Sequence, residues 1–123
     1  MKRRASLLTA LVALLYGLSA NSQTKGPDPG VTPVRQIDRS EVRVTRVELQ
    51  AGAIRSVHAH NDVKFHLFLP VSGQFELTIG SAKPIDAAPG QAYFMERGTP
   101  HGFRNVGSSP GFVMEVFVKD SSN

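Results

Sequence analysis

Gly52-Ala53-Ile54-Arg55-Ser56-Val57-His58-Ala59-His60-Asn61-Asp62-Val63-Lys64-Phe65-His66 carries three of the four histidines in a chain of 123 residues that has no cysteine. His58 and His60 are one residue apart, and side chains alternate between the two faces of a strand, so both imidazoles leave the same face. His66 follows six residues later, far enough to sit on the next strand, and His101 arrives from a distant segment. Neutral imidazole is the commonest side-chain ligand of transition metals, and three or four of them on facing strands can hold a divalent ion and still leave room for water or substrate. The spacing therefore predicts a metal site made of His58, His60, His66 and His101. Taken singly, His66 among Phe65, Leu67 and Phe68 also suits an ordinary core residue.

On both sides of this stretch the sequence breaks into short β-runs punctuated by glycine and proline, at 54–60, 63–71, 74–79, 91–95, 102–105 and 112–118. Phe75, Leu77 and Ile79 alternate with Gln74, Glu76 and Thr78, the two-residue period of a half-buried strand. A strand with a shift of phase is expected from Glu41, through Val42, Val44, Val47 and Leu49. No window of the chain beyond residue 22 has the period of a long amphipathic helix. Several short strands at this spacing predict an all-β sandwich or single jelly-roll barrel. Gly98-Thr99-Pro100 supplies a turn that would deliver His101 to the interior, and Asn105 suits a turn or backbone-bonding role better than a ligand's.

Lys2, Arg3 and Arg4, the apolar run from Leu7 to Leu18 and the small residues Ser19, Ala20 and Ser22 match a secretory signal peptide over 1–22; the run is too short to span a bilayer comfortably. A periplasmic or secreted protein with no membrane span after processing is expected. The formal charge of +4 falls to +1 once those three basic residues are removed with no acidic one, so nothing in the charge calls for nucleic acid. Gly26, Pro27, Pro29, Gly30 and Pro33 give 23–40 the composition of a flexible arm. The barrel is expected over 41–119, with a short tail at 120–123. An exposed edge on the strand from Glu41 to Leu49 would favour a homodimer.

Two histidine motifs resemble those of the cupin superfamily. In its second motif a glycine, five residues, proline, one residue, glycine, two residues, histidine, three residues and asparagine follow in turn. Gly90, Gly98, His101 and Asn105 fill that pattern, with Glu96 in place of proline. In its first motif Gly52, His58 and His60 match, but the expected glutamate is missing; counting back from Gly73 puts His66 in its place. The resemblance implies a cupin barrel and a divalent transition metal among iron, manganese, nickel, copper and zinc. It also implies a small-molecule site, oxygenase-like chemistry on an aromatic or enol-type substrate, or metal and ligand binding without catalysis. Phe68, Phe75, Leu77, Tyr93, Phe103, Met114 and Phe117 are candidates for the apolar walls or simply for the core. Glu96 reads as a solvated turn residue. Glu115 alternates out of phase with Phe112, Met114 and Val116, and the simplest pattern sends the acid to water.

Overall fold

The computed structural model describes residues 28–120. Their regular elements are nine strands: β1 Val31–Asp38, β2 Val42–Leu49, β3 Ile54–His58, β4 Phe65–Ser72, β5 Phe75–Ile79, β6 Ile85–Ala87, β7 Tyr93–Glu96, β8 His101–Asn105 and β9 Gly111–Val118. They form two antiparallel sheets, one in the order β1-β2-β9-β4-β7 and the other β3-β8-β5-β6. This is the all-β jelly roll expected from the glycine-punctuated runs. No helix among the described residues is long and apolar enough to cross a membrane. The signal-peptide segment 1–22 lies outside the described residues.

Strict alternation decides which side chains meet between the sheets. In β4 His66, Phe68 and Pro70 point inward, and in β9 Gly111, Val113, Glu115 and Phe117 do so. Along the barrel axis these inward rows change character. At one end Leu49, Val47, Phe68, Phe75, Leu77, Phe103 and Val113 build the apolar core. Burial of each such large side chain contributes about 1.5–3 kcal/mol. At the other end of the same strands the inward positions are Arg43, His66, His101 and Glu115, so the barrel is packed at one end and polar at the other. Gly111 lets β9 start close beside β4: a Cβ there would lie 2.5 Å from the Ser72 carbonyl oxygen. Asn105, fully buried, spends its side chain on Leu49 O, Ser109 O and Gly107 N, the backbone-bonding role expected of it.

Three expectations are corrected. The arm expected over 23–40 is in part a strand, since β1 pairs along β2 from Val31↔Leu49 to Asp38↔Arg43 with a bulge after Arg35; residues 23–27 lie outside the described residues. Nearly every side chain of β1 is exposed, so its sequence carries no apolar alternation to reveal it. In consequence β2 is not an edge: it is covered by β1 on one side and β9 on the other. Glu115 does not face water, because β9 lies inside the five-stranded sheet with Glu115 level with Thr45 and Phe68, and this register sends the apolar set Phe112, Met114 and Val116 to the outer face.

Candidate metal centre

His58 ends β3, His60 follows it, and His101 opens β8, whose first residue pairs with His58. The Gly98 turn, at φ +73°, delivers His101, and its N–H donates to the His60 carbonyl at 2.9 Å, which ties the two histidine-bearing segments together. From the opposite sheet β4 presents His66 and β9 presents Glu115. The His58 and His101 ring centroids are 4.4 Å apart, His66 and His101 4.6 Å, and His60 and His66 5.2 Å. One ligand atom from each of His58, His60, His101 and Glu115 lies within 4.8 Å of all the others. Bonds of about 2.0–2.2 Å to a central ion would draw such a cluster inward by about an ångström. The rings of all four predicted histidines lie together, but the ligand atoms within reach of one ion are those of His58, His60, His101 and Glu115, and His66 stands beside that group. The carboxylate beside them is the one that sequence reasoning had sent to solvent.

Hydrogen bonding sets the tautomers. His58 Nδ1 lies 2.7 Å from the Ser56 carbonyl and His101 Nδ1 2.9 Å from the Thr99 carbonyl. A carbonyl can only accept, so each Nδ1 is the protonated nitrogen and each Nε2 keeps its lone pair, the arrangement that metal-ligating histidines adopt. The Nε2 atoms of His58, His60, His66 and His101 and Glu115 Oε1 are all buried without a hydrogen-bond partner. Orphaned buried polar atoms each cost about 1–3 kcal/mol, and four of these five, from His58, His60, His101 and Glu115, gathered within 4.8 Å of one another fit a cation. His101 Nε2 and Glu115 Oε1 are 3.9 Å apart, too far for a hydrogen bond and suited to an ion between them. Outside this shell Asp28 accepts from the Ser56 N–H at 2.9 Å, from the Ser56 hydroxyl and from Arg55 at 3.2 Å, fixing the residue whose carbonyl orients His58. Asp28 had been read as part of the arm, and no local pattern marks it.

Burial holds the imidazoles neutral, as ligands must be. It lowers His60 and His101 to about 4 and His66 to about 3, with mutual repulsion among the rings adding to the effect, and lowers His58 as well. Burial raises Glu115 to about 7, against the opposing pull of Arg55 and Arg43. These shifts predict the acid response of the metal-free chain. An unfolded chain protonates its histidines near 6.5 whereas the folded chain does so only at about 3–4, so their contribution to stability is lost as the pH falls through that window. Glu115 acts in the opposite sense: its contribution is full below 4.5 and is lost as the pH rises through about 7. Four histidines outweigh one glutamate. In chelator, the melting temperature is expected to fall from pH 6.5 to pH 4, and one that stays level or rises would refute the clustered burial.

A cavity of about 180 Å³ opens over this cluster, bordered by Arg35, Arg43, Arg55, His60, Glu115 and Phe117. The Phe117 ring packs 4.7 Å from His60 and 5.0 Å from His66, forming one wall of the site. Of the other wall candidates, Phe68, Phe75, Leu77 and Phe103 are core, Tyr93 lies partly buried against it, and Met114 is on the outer sheet face. Glu96 is exposed, as expected, but it ends strand β7, paired with Phe65, rather than standing in a turn. A larger cavity of about 380 Å³ lies beside Gln74, Phe75, Asp86 and Val106 and has no histidine in its lining.

The arrangement has relatives. No curated protein sequence matches the chain at a significant level. Among solved structures, TT1209 from Thermus thermophilus superposes with a TM-score of 0.65 at 24% identity, over 72% of this chain and 83% of that one. KdgF from a Halomonas species gives 0.68 at 20% identity, over 77% and 84%. An RmlC-like cupin from Shewanella frigidimarina gives 0.64 at 20% identity, over 83% and 89%. At such identities the likeness establishes the double-stranded β-helix fold. The cupin domain model matches residues 45–117, a span from β2 to β9 that includes all four histidines and Glu115. With that match over most of the described barrel, the chain belongs to the cupin family.

Proposed function

We propose that this cupin holds one divalent transition metal and uses it in oxygenase-like chemistry on a small aromatic or enol-type molecule. The observation that carries the reading is the group of four ligand atoms from both sheets that lie within 4.8 Å of one another, all buried and unpartnered, with the unpartnered His66 Nε2 beside them. In this reading His58, His60 and His101 supply nitrogen, Glu115 faces them as a carboxylate, and His66 completes the nitrogen set from β4. Calcium and magnesium, which want oxygen ligands, fit poorly; iron, manganese, nickel, copper and zinc all suit imidazole. Bound there, such an ion supplies Lewis acidity and, as iron or copper, a redox couple. The chain's own residues do the rest. The Ser56 and Thr99 carbonyls lock His58 and His101 in the tautomer that leaves Nε2 free, and Phe117 shields one side from water.

A non-catalytic binding module would close its ligand shell. The cavity reaching His60 and Glu115 favours catalysis, because it leaves one side of the centre open to a small molecule. The signal-like segment 1–22 supports export to the periplasm or the medium, and the free edge of β1, with Val34 and Ile37 exposed, supports a homodimer. Elemental analysis of protein purified from its native compartment, followed by oxygen-electrode assays with catechols, enols and thiols, tests the function. Bound iron or copper with substrate-dependent oxygen uptake is expected. Bound metal with no uptake on any substrate would favour the binding module, and no metal above background would end both readings.

A further inference from the structure

We infer that the small molecule this centre takes is a carboxylate, gripped at the cavity mouth by the guanidinium groups of Arg43 and Arg55 with Arg35 at the rim. The inference rests on the metal-centre reading for what lies beneath the mouth, but the arginine pocket stands on its own observations. Arg35 comes from β1, Arg43 from β2 and Arg55 from β3, so charges from three strands and both sheets converge on one opening. Arginine at inward positions of a small barrel is costly unless its charge is used. The Arg43 side chain is only 15% exposed and that of Arg55 31%.

Glu115 feels Arg43 and Arg55 only at a distance. Among the described residues the ionisable group within 4.0 Å of that carboxylate is the neutral His101 imidazole, and none of the three guanidiniums is. Each guanidinium is instead anchored through one aspartate: Arg35 to Asp38 at 3.0 Å, Arg43 to Asp62 at 3.2 Å and Arg55 to Asp28 at 3.2 Å. Guanidinium carries five N–H donors, so one such contact positions the group and leaves donors for a planar, bidentate acceptor. Arg43 is held further by stacking 4.5 Å over the Phe117 ring, the same ring that packs against His60. A ligand carboxylate on Arg43 would therefore lie beside the metal-facing imidazole. The opening is also small: 180 Å³ holds about six waters at ~30 Å³ each. That volume favours a short acid over a polycyclic one.

Malonate and its neutral diamide, malonamide, are matched probes of similar shape. Calorimetric titration of the whole chain is run with each probe, metal-free and loaded with cobalt(II), at an ionic strength of about 0.15 M to screen diffuse attraction. Malonate is expected to bind at least about ten-fold tighter than malonamide, and Arg43→Gln to weaken malonate by about ten-fold or more without changing malonamide. Arg35→Gln, on an exposed side chain that the fold does not need, should weaken malonate two- to five-fold, roughly the effect of a screened charge. Arg104→Gln, exposed on β8 outside this opening and paired with Glu76, serves as the control and should bind as the parent does. Equal affinities for the two probes, or malonate binding untouched by Arg43→Gln and Arg35→Gln, would overturn the inference. Arginine-dependent malonate binding in a chain that takes up no cobalt would uphold the carboxylate pocket and refute the metal reading. Malonate binding that needs cobalt but ignores both substitutions would do the reverse.

Discussion

Replacing His101 with alanine is expected to lower the affinity for zinc or cobalt(II) by about 10²–10³-fold, since a four-ligand zinc site is worth about 10–16 kcal/mol, or about 3–4 kcal/mol per ligand. His101 is the sharpest choice because its ring contacts those of His58, His60 and His66 and its Nε2 faces Glu115. Competition against a chromophoric chelator measures the loss. The cobalt(II) visible spectrum then sorts the flanking ligands. Glu115→Gln and His66→Ala should each change band positions while binding persists, because four imidazoles remain in the first variant and three in the second. An unchanged affinity in the His101 variant would mean that the cation, if any, sits elsewhere.

Addition of metal to the stripped protein is expected to raise the melting temperature by about 10–20 °C. Ligand at one hundred times its dissociation constant stabilises the native state by about 2.7 kcal/mol, and each kcal/mol moves a domain of this size by about 4–8 °C. The physical source is local: four buried polar atoms, from His58, His60, His101 and Glu115, that lack partners in the metal-free chain gain one in common. Scanning calorimetry with zinc, and again after excess chelator, should show the rise and its reversal. A melting temperature indifferent to metal at neutral pH would contradict the centre even if ions bound weakly at the surface.

Much of this site was legible in the chain. His58 and His60, one residue apart, had to share a face once β3 was a strand, and the spacing from Gly90 through Gly98 and His101 to Asn105 placed the third imidazole by resemblance to a known pattern. The alternation of Phe75, Leu77 and Ile79 was enough to place β5 and its buried face. β1 was not legible: an eight-residue strand whose side chains are nearly all exposed has no period to read, and its proline and flanking glycine look like an arm. Asp28 was missed for a related reason. Its role comes from Ser56, 28 residues away, and such a partnership leaves no local mark.

By itself the sequence determined the fold class and the sharing of one strand face by His58 and His60, because these follow from short-range facts: strand period and turn residues. Only the tertiary structure decided the fate of Glu115 and the gathering of the arginines. Either face of β9 could have been the inner one, since both carry apolar residues, and the choice was made by its pairing with β2 and β4, which turned Val113, Glu115 and Phe117 inward. The same pairing brought Arg43 over Phe117, and packing of the second sheet brought Arg55 alongside. A side chain's facing is a property of register between strands distant in the chain, and register is set when the sheets close.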